Sequence, residues 1–360
     1  MTSAPREDRE LALTDEVVAS FDGAQSARYR EVMQSLVRHL HGFVRDVRLT
    51  DEEWHEAVGF LTRTGHMCDD RRQEFVLLSD VLGLSMLTVA VNEVADSSAT
   101  QSTVFGPFFV ENSPEIALGA DLAAGAAGQP CWVEGTVRSA DGELVAGARI
   151  DVWEADGDGL YDVQYDGAVT ANRGHLFTEA DGAFRFWSVR PVAYPIPTDG
   201  PVGRLLAAAG RGGMRPAHIH FMIRAAGHHK LTTHVFAAGD EHLAHDAVFG
   251  VKERLIAEFV EHPASEPPPA GGPAGSAWWS VSYDFVLARV DSRVAAEHKQ
   301  PTRSAMTHHD ETDKKDLEAQ AKAHIDEMPA ETALGNADPE GGGKGTPEEF
   351  VAEHEGKGGK

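Results

Sequence analysis

Residues 132–153 read WVEGTVRSADGELVAGARIDVW, and they decide the fold. Trp132-Val133-Glu134-Gly135-Thr136-Val137 suits a pleated strand, Ala140-Asp141-Gly142-Glu143 a turn, and Ala148 to Trp153 the returning strand. The theme repeats downstream. Gly174 to Thr178, the turn Ala180-Asp181-Gly182, and Phe184 to Val189 form a second pair. Ala217 to Ile223, Leu231 to Phe236 and Trp278 to Val286 are predicted as further strands, while Val248 to Val260 fits helix or strand equally. Short strands at this spacing with Asp-Gly turns indicate an antiparallel sandwich or barrel. Pro263 to Pro273 is a Pro/Gly-rich loop within it.

Upstream the texture is helical. Between Ala27 and Val47, apolar side chains at Val32, Met33, Leu36, Val37, Leu40, Phe43, Val44 and Val47 follow the 3.6 period. Thr50 with Glu53 forms a capping box that opens a second helix through Trp54, Val58 and Leu61. Asp69 or Asp70 caps a third, predicted from Arg71 to about Val94 and apolar on every side between Phe75 and Val91 except at Ser79, Asp80, Ser85 and Thr88. A helix apolar all round is buried, against other helices or a second subunit. The class is therefore α+β: a helical segment over residues 1–100, a β-sandwich over 101–295, and an acidic, Gly-rich tail over 296–360. Tail tracts such as Pro339-Glu340-Gly341-Gly342-Gly343 have no apolar periodicity, which predicts disorder.

Composition excludes several functions. With 57 acidic against 32 basic side chains, the formal charge is -25. That field repels phosphate backbones and anionic headgroups, so neither nucleic acid nor a membrane surface is an expected partner. Cys68 and Cys131 are too few for a disulfide framework or a cysteine metal site, and both read as small buried hydrophobes. No apolar run reaches the ~18 residues of a membrane span, and Met1 to Glu16 lacks the apolar core of a secretory signal. A cytoplasmic protein is expected.

The chemistry concentrates at Arg215-Pro216-Ala217-His218-Ile219-His220-Phe221. On a strand, His218 and His220 face one way and Ile219 the other, so two imidazoles about 7 Å apart at the backbone can converge on one ion. With 18 histidines in the chain, such a pair also arises on an ordinary solvated strand face. Carboxylate or phenolate must complete a site that lacks cysteine. The five tyrosines are Tyr29, Tyr161, Tyr165, Tyr194 and Tyr283. Tyr194 is stiffened by Pro195 and Pro197, and Tyr161 and Tyr165 share one turn-rich loop. Nothing in the residues themselves chooses between those two. The β segment alone would equally suit a non-catalytic transthyretin-like binding module.

Four blocks extend the pattern: Val104-Phe105-Gly106-Pro107-Phe108-Phe109, Tyr194 to Gly203, Arg215 to Phe221, and Leu231 to Phe236. With Tyr161, they resemble the intradiol ring-cleaving dioxygenases over approximately residues 15–290, and most of all the hydroxyquinol 1,2-dioxygenases. Chlorocatechol and catechol 1,2-dioxygenases come next; the catechol branch carries Gln at the position of His234. The resemblance implies one Fe(3+) bound by Tyr161, Tyr194, His218 and His220, and selects Tyr161 through its Gly-x-Tyr-Asp context. It implies that Tyr194 accepts a substrate proton and that Arg215 stabilises negative charge on the ring. The substrates would be a small aromatic diol or triol and dioxygen. Substrate-binding positions would be Leu77, Asp80, Val104, Phe105, Gly106, Pro107, Phe108, Ile196, Pro197, Arg215 and His234. A homodimer through the N-terminal helices, with a lipid at its interface, is a further property of relatives. Asp80 points to the substrate within the family. A lone carboxylate in an apolar stretch is costly to bury unless hydrogen-bonded, and hydroxyquinol has a third hydroxyl to offer it. A surface aspartate paired with a nearby arginine is the plainer alternative.

Overall fold

The computed structural model describes residues 6–69, 72–93, 96, 98–165 and 170–290. The expectation for residues 296–360 lies outside them. Helices come first: α1 (Arg6–Ala19), α2 (Ala27–Val47), α3 (Asp51–His66), α4 (Glu74–Val81) and α5 (Leu84–Asn92). The Ser26 side chain caps α2 by accepting from the Tyr29 N–H, and Thr50 and Glu53 form the expected reciprocal capping box on α3. Among the described residues no single helix is long and apolar enough to cross a membrane.

The third predicted helix is two. Gly83 takes a left-handed conformation (φ 73), and α4 and α5 meet there at a bend of 74°. Periodicity sees an unbroken apolar run, but a left-handed residue cannot continue a right-handed helix. Asp69 caps the preceding turn, through Arg72 N–H, rather than the helix; Gln73 opens α4 with no side-chain cap. Burial is also divided. Leu77, Leu78, Asp80 and Val81 of α4 are buried, whereas Leu82, Leu84, Leu87 and Val91 are exposed. Cys131 is buried as expected, but Cys68 is only partly so.

The strands are β1 (Pro130–Ser139), β2 (Arg149–Trp153), β3 (Arg173–Phe177), β4 (Ala183–Val189), β5 (Tyr194–Pro195), β6 (Met214–Arg215), β7 (His218–Arg224), β8 (Leu231–Ala237), β9 (Ile256–Ala257), β10 (Val260–His262), β11 (Trp278–Ser282) and β12 (Phe285–Leu287). A sixth helix, α6 (Pro201–Ala208), lies between β5 and β6. One sheet runs β10-β11-β1-β12 with β4 also on β1, and the second runs β3-β2-β7-β8-β9. Most pairs are antiparallel; β1 with β11 and β12, and β8 with β9, are parallel. Cys131, Val133 and Val137 of β1 meet Ile150, Val152, Ile219, Phe221, Ile223 and Val235 of the other sheet in one apolar core. Val248 to Val260, whose periodicity fits helix and strand alike, is loop except at one short 3-10 turn, at β9 and where β10 begins.

The predicted strand Trp278 to Val286 keeps one register along β1 but breaks at Tyr283-Asp284. There the Asp284 carboxylate takes the Thr136 N–H (2.8 Å), replacing a backbone carbonyl in the ladder. The Tyr283 carbonyl crosses Gly135 so closely that a β-carbon on Gly135 would lie 1.9 Å from it. Gly135→Ala should therefore destabilise the protein by about 3 kcal/mol or more, since backbone must move. Gly142→Ala, in open space at φ 88, should cost only ~1 kcal/mol. Urea unfolding of the two variants checks the order.

Candidate metal centre

The pleat of β7 sends Ile219, Phe221 and Ile223 into the core between the sheets. His218 and His220 take the opposite face, at 2% and 1% exposure. Register then builds a row of rings across that face: Trp153 of β2 pairs with His220, and His220 with His234 of β8. Trp153 stacks on His220 at 4.7 Å, and His220 and His234 lie 4.1 Å apart at their centroids. These are not surface histidines.

Pro216 decides the tautomer of His218. Its carbonyl can only accept, so the Nδ1 of His218, 2.6 Å away, carries the proton. The Nε2 atom is left as a lone pair facing the site, where Arg215 Nη1 donates to it at 3.0 Å. Burial, helped by the Arg215 charge, pulls the His218 pKa down to about 3.

The two-residue ladder of β5 and β6 sets Tyr194 opposite Arg215. Gly159 (φ 80) lets the preceding loop pass close to Tyr194; a β-carbon there would lie 2.8 Å from Tyr194 Cβ. Two residues later comes Tyr161, its backbone N–H held by the Gln164 side chain and its ring stacked on Phe108 at 4.5 Å. Tyr161 is fully buried. Tyr165 is not in this group; its hydroxyl donates to Asp156 at 2.6 Å, and the residue is 38% exposed.

Four donor atoms thus form a chain. Tyr161 Oη lies 2.9 Å from Tyr194 Oη, which lies 3.4 Å from His218 Nε2, which lies 3.2 Å from His220 Nε2. Donors bound about 2.1 Å from one ion are spaced about this far apart. Either tautomer of His220 leaves its buried Nδ1 unpartnered, and His234 Nε2 is likewise buried without a partner. The ligand atoms of His218, His220 and His234 all lie within 4.8 Å of one another, so the group can hold a metal ion. Burial raises both phenols above the ordinary tyrosine range, an effect that a bound cation would oppose.

Two buried ion pairs flank the donors. Arg215 meets Asp246 through Nε–Oδ1 at 3.1 Å and Nη2–Oδ2 at 3.5 Å. Burial works against the Arg215 charge, but Asp246 and the phenols outweigh it and hold the guanidinium above the ordinary arginine range. Burial likewise raises the Asp246 carboxyl, and Arg215 more than reverses that. Arg173 is bidentate on Asp162, the residue after Tyr161.

Of the expected pocket residues, Leu77, Val104 and Ile196 share one buried cluster, and Phe108 lies against Tyr161. A β-carbon on Gly106 would sit 3.3 Å from His220 Cε1, so the 104–108 segment approaches the donors closely. Phe105 is 41% exposed, packing on Phe109 and Trp153; Pro107 and Pro197 are half-buried. Asp80 is 2% exposed. Burial raises its pKa to about 6; a Ser85 hydrogen bond and the Arg215 charge lower it, and Asp246 raises it. His234 is fully buried, with Nδ1 2.6 Å from Thr103 Oγ1. Sequence reasoning missed Asp246, Trp153, Thr103 and the Arg173–Asp162 pair. Strand alternation could have found Trp153, which falls on the same face as the histidines, but nothing marks Asp246.

Comparison with known proteins identifies the family. The Dioxygenase family model matches residues 104–289, and the Catechol dioxygenase N terminus model matches 26–100. A hydroxyquinol 1,2-dioxygenase from Nocardioides simplex is 55% identical over 286 residues, covering 79% of this chain and 98% of that protein. A 6-chlorohydroxyquinol 1,2-dioxygenase from Cupriavidus pinatubonensis is 56% identical over 76% of this chain and 96% of its own. The crystal structure of a hydroxyquinol 1,2-dioxygenase from Pseudomonas putida DLL-E4 superposes with a TM-score of 0.72 at 44% identity, covering 79% of this chain and all of that one. A non-catalytic transthyretin-like module is not favoured.

Removing one partner of the Arg173–Asp162 pair strands a charge that is 4–6% exposed. Asp162→Ala should cost about 3–5 kcal/mol, and Asp162→Ala with Arg173→Met clearly less. Denaturant unfolding of the single and double variants measures the difference.

Proposed function

The chain belongs to the intradiol ring-cleaving dioxygenases, and we propose that it cleaves hydroxyquinol (benzene-1,2,4-triol) between its adjacent hydroxyls. The product is 3-hydroxy-cis,cis-muconate, the enol form of maleylacetate, and both atoms of dioxygen enter its two new carboxyl groups. The residues that would hold Fe(3+) are Tyr161, Tyr194, His218 and His220. Phenolate is a hard anionic donor suited to a trivalent ion, and the buried donor chain has the spacing for one. When bound, the ion supplies Lewis acidity towards the two adjacent substrate hydroxyls and so activates the ring towards dioxygen.

The side chains do the rest. Tyr194 Oη, with Tyr161, His218 and Arg215 all within 3.5 Å, takes a proton from one substrate hydroxyl. Arg215 Nη1 lies beside that atom and stabilises negative charge on the ring; Asp246 keeps the guanidinium aimed. Val104, Phe108, Ile196 and Pro197 form apolar walls, and Gly106 leaves room over His220. His234, its Nδ1 facing Thr103, offers Nε2 for a polar contact with substrate.

Asp80 carries the choice of a triol. It is buried beside Leu77, feels the charges of Arg215 and Asp246, and has its hydrogen bond from Ser85. A carboxylate so placed accepts a hydrogen bond from a third ring hydroxyl. A diol leaves it underpaired, and sites built for a hydroxyl reject analogues without one. Residues 1–100 serve as a dimerisation domain in this reading. On α2, Val32, Leu36, Leu40, Phe43 and Val47 form a helical stripe 43–54% exposed, which a second copy of the chain would cover.

Purified protein should be red-brown from tyrosinate-to-iron charge transfer and contain one iron per chain. Tyr194→Phe should keep the fold and move the visible band, and His220→Ala should lose the iron; colourless protein containing zinc would refute the assignment. For the substrate, Asp80→Ala should reduce the kcat/KM ratio of hydroxyquinol to catechol by about 100-fold or more. Steady-state assays on both substrates decide it, and a wild type that prefers catechol returns the assignment to the wider family.

A further inference from the structure

Asp80 and Arg215 lie on separate segments, α4 and β6, and one arginine outside the donor cluster ties them together. Arg211 Nη1 donates to the Val81 carbonyl at 2.6 Å, and Nη2 donates to the Ala247 carbonyl at 3.1 Å. Val81 follows Asp80 and ends α4; Ala247 follows Asp246, the partner of Arg215. The Ala247 N–H donates in turn to the carbonyl of Met214, the neighbour of Arg215, at 3.0 Å. One guanidinium therefore bridges the end of the helix bearing Asp80 to the turn bearing Asp246.

That turn is tightly wound. Asp246 accepts from the Val248 N–H through Oδ1 and from the Gly250 N–H through Oδ2. A β-carbon on Gly250 would lie 3.1 Å from Asp246 Oδ2 and 3.4 Å from Arg215 Nη2. Phe249 between them adopts φ 60, a conformation bulky residues avoid unless held. Phe249 is 52% exposed, so burial does not account for it. Instead it lies under the Arg211 guanidinium, 4.9 Å from the ring centroid, and over Gly83, where an added β-carbon would lie 3.5 Å from Phe249 Cδ2. The helix break, the Asp246 turn and the segment leading into β6 all meet at Arg211.

We propose that Arg211 is a specificity-determining positioning residue, fixing Asp80 relative to Arg215 and so setting the preference for a ring with a third hydroxyl. The inference rests on the reading of Asp80 as the selector. The last carbonyls of a helix lack intrahelical partners, and a cation there is favourable, so Arg211 suits the end of an eight-residue helix. Without it, Leu77, Leu78 and Val81 still anchor α4 in its apolar cluster, and Arg215 keeps its own contacts to Asp246, Tyr194 and His218. Chemistry common to diols and triols would proceed. What is lost is the fixed span between the carboxylate and the guanidinium, which only the triol uses at both ends.

The test uses the full chain with its iron, and two variants. Arg211→Met keeps the stem and removes every donor; Arg211→Lys keeps the charge but cannot serve both carbonyls at once. For each, kcat/KM is measured on hydroxyquinol and catechol, and Kd for both is measured without dioxygen. In Arg211→Met the hydroxyquinol-to-catechol ratio of kcat/KM should fall about ten- to a hundredfold, and the same ratio of Kd should rise by a similar factor, as a displacement near 1 Å would cause. Catechol kcat/KM should stay within about threefold and the visible band should not move. Arg211→Lys should fall between, and it decides alone if Arg211→Met does not fold. Equal losses on both substrates would mark a general brace and overturn the proposal. An unchanged ratio at Arg211 while Asp80→Ala collapses it overturns the proposal and leaves the selector standing. An unchanged ratio in Asp80→Ala removes the selector reading itself, and the proposal with it.

Discussion

The ion pair between Arg215 and Asp246 is the interaction on which the polar face of the second sheet depends. Arg215 is 4% exposed and Asp246 7%. Neither charge could remain there alone, because an unpaired buried ion costs several kcal/mol after every relaxation. Paired, they form a neutral unit that still points one guanidinium nitrogen at His218 Nε2 and Tyr194 Oη. The carboxylate is itself secured by two backbone N–H groups, so it does not rely on the arginine for all its hydrogen bonds. The result is a fixed, buried positive group beside the donor atoms, where its field is little screened.

Helices and sheets share this site. Leu77, Leu78 and Val81 of α4 pack with Val104, Ile196, Val202, Leu206, Ala247 and Val248, so the helical segment is joined to the segments around the donor atoms by one apolar cluster. Glu74, fully buried, strengthens the join: it pairs with Arg72 and accepts from the Val202 N–H at the start of α6. Gly200 is required beside it, since a β-carbon there would lie 2.2 Å from Glu74 Oε1. The bend at Gly83 divides the labour of the apolar run. It turns α4 into the buried cluster with Val104 and Ile196 and leaves Leu84, Leu87 and Val91 of α5 exposed.

Local features of this architecture were legible in the sequence, and nonlocal ones were not. The Thr50–Glu53 box, the strand from Trp132 and the alternation about Ile219 each depend on neighbours within a few residues, and each stands as read. Tyr161 was separable from Tyr165 only by family resemblance. In the structure the Tyr161 hydroxyl lies beside that of Tyr194, whereas the Tyr165 hydroxyl donates to the Asp156 carboxylate. The failures have one physical form. The break at Gly83 depends on a backbone angle, the break at Tyr283 on a carboxylate that invades a ladder, and β5 and β6 are two residues each, too short for any period. Asp246 lies 31 residues from Arg215 in a loop with no motif, and only the folded chain brings them together.

Two phenols and three imidazoles face this site, and electrostatics separates their roles. Arg215 with Asp246 and Arg173 with Asp162 are each neutral pairs, so neither pair offers net charge to offset a metal ion. Three imidazoles from His218, His220 and His234 would leave the full charge of any ion buried. Exchanging His234 for Tyr161 and Tyr194 changes the balance, because two phenolates cancel two positive charges and an anionic substrate can cancel the third. The cost of ionising two buried phenols is then met by the ion itself, which is why their raised pKa values are compatible with this role. His234 is left over, and its geometry suits that. Thr103 faces its Nδ1, it belongs to the row that begins at Trp153, and its free Nε2 is a hydrogen-bonding group without a partner of its own. A buried polar atom of that kind is costly unless something pairs with it, and a polyhydroxylated ring is such a partner.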